Sequence, residues 1–80
     1  MRLFEVNDNV SVLCEYYKNS RNWGHRATVL KNGYKVYKTT ITYYNRTWER
    51  FDFESVLRKA LENSKVIPQD QIKPYLADLH

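Results

Sequence analysis

The dipeptide Asn32-Gly33 constrains the fold of this 80-residue chain more than any other feature, because it stands between two extended runs. Both central residues of a type I′ turn need positive φ, and Asn followed by Gly meets that need with little strain. The flanking runs, residues 23–31 and 34–44, are therefore predicted to be the two strands of a β-hairpin.

The register of this hairpin beyond the turn is left open by the sequence. A two-residue loop would pair Val29 with Val36 and place both on a buried face. Farther from the turn, Ile41 has the character of a core residue but falls on the opposite face. A β-bulge near residues 38–40 would reconcile the two patterns, because one extra residue switches the face of everything that follows.

Two further strands are predicted before the hairpin, over residues 2–6 and 10–17. They are separated by a cluster of Asn and Asp that tolerates turn geometry. In the second strand every other residue is apolar or aromatic, a period of two that indicates one buried face. These residues are Val10, Val12, Cys14 and Tyr16.

The apolar period changes from 2 to 3.6 after residue 52, which predicts an amphipathic helix over residues 52–63. Asp52 is a suitable N-cap, and Glu54 lies one turn before Arg58, the spacing of an i,i+4 ion pair. The buried stripe of this helix is predicted to comprise Phe53, Val56, Leu57, Ala60 and Leu61.

A short, two-piece helical tail is predicted over residues 69–79. Pro74 lies within it and would break a helix unless it fell in the first turn. Taken together, the elements predict an α+β fold, in which an antiparallel meander of three or four strands packs against one amphipathic helix and a short C-terminal helix. Without a Pro-, Gly- or Ser-rich linker, residues 1–80 are expected to form a single domain.

Charge is distributed unevenly along the chain. The total is +4, from 13 Lys and Arg against 9 Asp and Glu, but residues 18–50 hold eight bases and one acid, a net of +7. A local excess of this kind attracts anionic partners. The chain has one cysteine, which excludes an intrachain disulfide, and no apolar run near the roughly 18 residues of a membrane span. Together with an N-terminus unlike a signal peptide, this leads us to expect a cytoplasmic protein.

The basic segment is interleaved with aromatic residues, and this is the feature most suggestive of function. Lys and Arg on strands and turns contact phosphates, while exposed aromatic rings stack on unpaired bases. The alternative is that these cations keep an exposed sheet face soluble. The predicted phosphate contacts are Lys18, Arg21, Arg26, Lys35, Lys38, Arg46 and Arg50, with Tyr17, Trp23 and Tyr37 as stacking candidates.

Catalysis is not expected from this sequence. Its two histidines, His25 and the terminal His80, form no cluster with other ligands, and no phosphate-binding glycine loop is present. Cys14 lies on the apolar side of its strand, as a buried thiol does. We therefore expect a binding protein with no metal and no cofactor.

Residues 43–53 are unusually rich in aromatic side chains. One interpretation places Tyr43, Phe51 and Phe53 in the core and lets Trp48 fill the gap between sheet and helix. The alternative exposes Trp48 as an anchor for a protein partner, since Trp is over-represented at binding hot spots. The C-terminal stripe Tyr75, Leu76 and Leu79 would extend such a surface.

The order of strands, Asn-Gly hairpin and helix over residues 12–63 resembles the double-stranded-RNA-binding domain. Gly24-His25, Asn32-Gly33 and Ala60-Leu61 are similar to that family's pattern, although its preceding helix and its Lys-Lys-x-Ala-Lys signature have no counterpart here. Integrase arm-binding domains are a second three-strand-plus-helix family with a similar topology. Both resemblances imply contact with nucleic acid, DNA or RNA.

The segment 44–57 resembles a run found in small uncharacterised proteins of phages and mobile elements. That resemblance implies an accessory role and an alternative function, in which the protein binds and modulates a host or phage protein. A homodimer formed through a free edge strand or the C-terminal stripe is a further expectation.

Overall fold

A computed structural model describes residues 1–43 and 52–79, and over these ranges the chain forms four strands and two helices. The strands pair antiparallel in the order β1-β2-β3-β4, so each is hydrogen-bonded to its neighbour in the chain. This confirms the predicted α+β meander, with four strands. The strands are β1 Arg2–Glu5, β2 Val10–Lys18, β3 Trp23–Lys31 and β4 Tyr34–Tyr43; the helices are α1 Glu54–Ser64 and α2 Gln69–Asp78.

The hairpin turn forms as the sequence predicts. Asn32 and Gly33 have φ of 53° and 84°, and Lys31 pairs with Tyr34 across them. The β1–β2 turn is held by a side chain as well as by the backbone, where the N–H of Val6 donates to the carbonyl oxygen of Val10 at 2.9 Å. Asn7 Oδ1 accepts hydrogen bonds from the backbone N–H groups of Asn9 and Val10, at 2.8 and 2.9 Å. Local turn chemistry therefore fixes both connections.

The register of the hairpin, which the sequence left open, includes a bulge, but not at the position suggested for it. Val29 pairs with Tyr37 and Leu30 with Lys35, so Val36 is an extra residue in β4 and the bulge lies beside the turn, not at residues 38–40. Val36 is 49% exposed and not buried against Val29. The early bulge places Tyr37, Ile41 and Tyr43 on the same face, where they reach the core.

Both helices cover the same face of the sheet. The stripe predicted for α1 is confirmed, because Val56, Leu57, Ala60 and Leu61 are fully buried and Phe53 is partly buried. Fully burying one such Leu or Val stabilises the fold by about 1.5–3 kcal/mol. The strand residues in this core are Phe4, Val10, Val12, Cys14, Ala27 and Val29.

The first turn of α1 is held by Asp52, as predicted, although the cap position itself is Phe53. Asp52 Oδ1 accepts a hydrogen bond from the N–H of Glu54 at 2.9 Å, from one residue farther out than a standard N-cap. The predicted ion pair is present, with Arg58 Nη2 3.2 Å from Glu54 Oε1. It lies on the surface and contributes at most about 0.5 kcal/mol.

Helix α2 runs without interruption through Pro74, so the predicted break does not occur. The N–H that Pro74 lacks would pair with the carbonyl of Asp70, and both residues are exposed, so water can satisfy that carbonyl. Ile72 and Leu76 anchor the helix in the core. Over the described residues, neither helix is long and apolar enough to cross a membrane.

Cys14 lies at the centre of the covered face and is fully buried, as predicted. Burial disfavours the thiolate and raises the pKa of this thiol to about 12. The folded protein therefore retains the proton to a higher pH than the unfolded chain does.

This shift predicts a loss of stability in alkali. Because the unfolded thiol ionises first, the free energy of unfolding should fall as the pH rises from about 9 towards 12, by up to about 1.4 kcal/mol per pH unit from this group. Urea titrations of the parent protein and of Cys14→Ala at several pH values measure it. The variant should lack this component, and identical pH profiles for the two proteins would contradict the assignment.

Candidate nucleic-acid interface

The face of the sheet opposite the helices carries no packed element among the described residues; we call it the bare face. Side chains alternate between the two faces of the sheet along each strand. The residues whose neighbours in the strand point into the core therefore belong to the bare face. They are Leu3 and Glu5 of β1; Ser11, Leu13, Glu15 and Tyr17 of β2; Gly24, Arg26, Thr28 and Leu30 of β3; and Lys35, Lys38, Thr40 and Thr42 of β4.

Tyr17 forms a flat aromatic platform on the bare face. Its ring lies across Gly24 of the neighbouring strand, and its hydroxyl reaches Thr42 Oγ1 on the strand beyond, at 2.5 Å. The guanidinium of Arg26 lies over the ring, 4.9 Å from its centroid. Because the ring packs on Gly24 and its hydroxyl is hydrogen-bonded to Thr42, the side chain loses little conformational entropy when a ligand binds.

Gly24 is required for that platform. A Cβ at this position would lie 2.6 Å from Tyr17 Oη and 2.7 Å from Tyr17 Cε1, and closer still to the carbonyl oxygen of Ile41. Sequence reasoning did not select Gly24 as a functional residue. A glycine inside a strand signals close approach by another group, and that signal would have found it.

Two cations line the β4 side of the bare face. Lys35 and Lys38 are both exposed, and Lys38 owes its orientation to the bulge at Val36. Row spacing along the strands puts the Cα of Lys38 roughly 16 Å from that of Tyr17. Together with Arg26, these lysines form a basic border beside the aromatic platform.

Carboxylates occupy the other half of the face. Glu5 lies on β1 and Glu15 on β2, whereas every basic residue of the bare face lies on β3 or β4. A polyanion would be repelled from the first half and attracted to the second. Sequence reasoning missed this division because it assigned no role to the acids.

Two residues predicted to stack on bases do not lie on the bare face. Trp23 lies on the covered face, is 3% exposed and stacks on Tyr43 with ring centroids 4.3 Å apart. Tyr37 also lies on the covered face, half-buried against the core. Neither ring is open to a base from the bare face.

The remaining predicted cations lie elsewhere. Lys18 and Arg21 are exposed at the β2–β3 turn, where the N–H of Arg21 donates to Asn19 Oδ1 at 3.0 Å. They border the same end of the sheet as Tyr17. Arg46 and Arg50 fall outside the described residues.

The C-terminal stripe proposed for a protein partner is largely used in folding. Leu76 is 5% exposed, and Tyr75 is half-buried, with its hydroxyl 3.5 Å from the carbonyl of Glu5. Leu79 remains 37% exposed. Trp48, like Phe51, lies outside the described residues.

His25 belongs to an aromatic cluster on the covered face. It is 1% exposed and makes edge contacts with Trp23, Tyr43 and Phe53 at 5.1–5.7 Å between ring centroids. Among residues 1–43 and 52–79, no three His, Cys, Asp or Glu side chains come together as metal ligands. These positions give His25 a packing role.

Comparison with known proteins gives no relative, since no family model, no curated protein and no solved structure matches the chain.

The close approach of the Tyr17 ring to Gly24 predicts that one methyl group added at residue 24 destabilises the fold. Gly24→Ala should lower the free energy of unfolding by about 2 kcal/mol or more, because the new Cβ collides with backbone as well as with the Tyr17 ring. Gly33→Asn is the control, since Asn tolerates the positive φ there and open space surrounds it; we expect a loss below about 1 kcal/mol. Urea denaturation measures both, and equal losses would refute the close approach at Gly24.

Proposed function

We propose that this protein binds single-stranded nucleic acid along the β3–β4 half of its bare face. The observation that carries the proposal is the combination of a fixed tyrosine ring, a guanidinium stacked on it and two exposed lysines on one uncovered surface. Aromatic and guanidinium planes stack on unpaired bases, while lysines neutralise phosphates.

The dimensions of this surface favour a short single strand. The distance of roughly 16 Å between the Cα atoms of Tyr17 and Lys38 is enough for only a few nucleotides. The major groove of a B-DNA duplex admits a two-stranded β-ribbon, which is narrower than this four-stranded face, and the bases of a duplex are not available for stacking. Unpaired RNA or DNA is therefore the substrate class that fits best.

Glu5 and Glu15 restrict where a nucleic-acid strand can lie on the bare face. Glu15 lies directly opposite Arg26 across the β2–β3 ladder, so phosphates placed over β2 would meet a carboxylate. A nucleic-acid strand that runs along β4 contacts Lys35 and Lys38 and avoids both glutamates. Lys18 and Arg21 extend the positive field past the Tyr17 end.

Fluorescence anisotropy with labelled oligonucleotides tests the proposal directly. We expect micromolar binding of single strands at about 50 mM salt that is lost near 200 mM, because bound phosphates release counterions. Duplexes should bind more weakly. The proposal fails if no oligonucleotide binds at the lower salt concentration.

Charge reversal locates the phosphate contacts. Lys38→Glu should weaken single-strand binding about tenfold and reduce the slope of log affinity against log salt by about 0.7. Lys73→Glu on α2 makes the same change in net charge on the helix side and should alter affinity less than about twofold. Equal effects of the two variants would show that net charge alone, and not the bare face, determines binding.

Removal of the ring separates stacking from charge. Tyr17→Leu should weaken binding about tenfold while leaving the salt slope unchanged, because stacking releases no counterions. Tyr17→Phe, which keeps the ring and loses the hydrogen bond to Thr42, is the control and should bind within about threefold of the parent. Circular dichroism establishes that each variant is folded, and an unchanged affinity for Tyr17→Leu would exclude the platform from the site.

A further inference from the structure

Each acid of the bare face lies in the same row across the sheet as a base, in addition to the division of charge between the two halves. We call residues that are Cα partners across successive strands a row. Glu5 and Lys35 lie in one row, at opposite edges of the sheet, and Ser11 and Leu30 lie between them. Glu15 and Arg26 lie in a second row as direct Cα partners. In both rows the acid is on β1 or β2 and the base is at the mirror position on β4 or β3.

We propose that the bare face binds a second copy of this chain, packed face to face about a two-fold axis that runs parallel to the strands between β2 and β3. Such a rotation keeps each row in place and exchanges the strands. It lays β1 over β4 of the second copy, and β2 over β3. An isologous dimer needs this kind of self-complementary surface.

The rotation brings opposite charges together at each acidic position. Glu15 comes to face Arg26 of the second copy, and Glu5 comes to face Lys35, each twice by symmetry. Packed sheets are separated by roughly 10 Å with strands about 30° from parallel, a gap that long charged side chains bridge. Lys38 then lies over Leu3, where its aliphatic stem covers apolar surface.

The other possible two-fold axis, which lies between the packed faces and perpendicular to the strands, does not pair acids with bases. It exchanges the ends of the sheet, so that Glu15 would face Leu13 and Arg26 would face Thr28. No acid of the bare face then meets a base. Charge complementarity therefore selects the axis parallel to the strands.

The apolar content of the face is consistent with a modest interface. Leu3 is 51% exposed, and Leu13 and Leu30 are half-buried on the neighbouring strands. One strand of four residues and three of nine or ten give roughly 500 Å² per copy, and so roughly 1,000 Å² in total, which is about the smallest area of a specific interface. An interface of this size is typical of weak, reversible association.

The edges of the sheet are less suitable for self-association than its face. β1 has only four residues, and β4 carries the bulge at Val36. Lys59 Nζ of α1 also donates to the carbonyl oxygen of Thr40, at 3.1 Å. Short edge strands, bulges and lysines at an edge are devices that block edge-to-edge pairing.

Sedimentation equilibrium without nucleic acid tests the dimer independently of the proposed function. Glu15→Arg sets arginine against arginine across the interface, and Arg26→Glu sets glutamate against glutamate. Each should weaken dimerisation at least about tenfold. The double variant Glu15→Arg/Arg26→Glu restores opposite signs both within the chain and between copies, and should recover the parent dissociation constant within about threefold.

Two further variants complete the design. Glu5→Lys, on an exposed edge position, sets like charges against each other at the rim and should also weaken the dimer; Lys73→Glu on α2 should not. Urea denaturation verifies the fold of every variant. The proposal is overturned if the protein stays monomeric up to about 1 mM. It is also overturned if the single charge reversals leave the dissociation constant of the dimer unchanged, or if the double variant does not restore it.

Discussion

One extra residue in β4 controls which side chains face the core and which face outwards. Side chains alternate along a strand, so a shift of one residue moves every later side chain to the opposite face. With Val36 as the extra residue, Ile41 packs into the core and Thr42 reaches the hydroxyl of Tyr17. Without it, Lys38 and Thr42 would point into the helices. The core and the candidate interface thus depend on the same irregularity.

The second constraint is that both helices pack on one side of the sheet. A chain this small has too little apolar sequence to cover two faces, and its buried residues lie between the covered face and α1 and α2. The bare face is then free to carry charged and polar side chains without a burial cost. It is stiffened by contacts of its own, because Tyr17 spans from β2 to β4 across Gly24.

The two proposals concern the same surface, which gives them a common consequence. A face-to-face dimer would cover Tyr17 and Arg26, so a second copy and a nucleic-acid strand would compete for the bare face. The basic half attracts phosphates, while the acidic half repels them and pairs with the basic half of another copy. Protein concentration would then shift the balance towards the dimer, and a single strand would shift it towards the monomer.

The sequence by itself determined the elements of the fold and most of their bounds. The Asn32-Gly33 turn, the period of two in β2 and the stripe of α1 depend on neighbouring residues only, so they can be read locally. Periodicity divides a strand into two faces but does not state which face is covered. The position of the bulge, the burial of Trp23 and Leu76 and the continuity of α2 through Pro74 were therefore settled only in the tertiary structure. Each depends on contacts between residues far apart in the chain, and these lower the free energy of one arrangement only when all the elements are assembled.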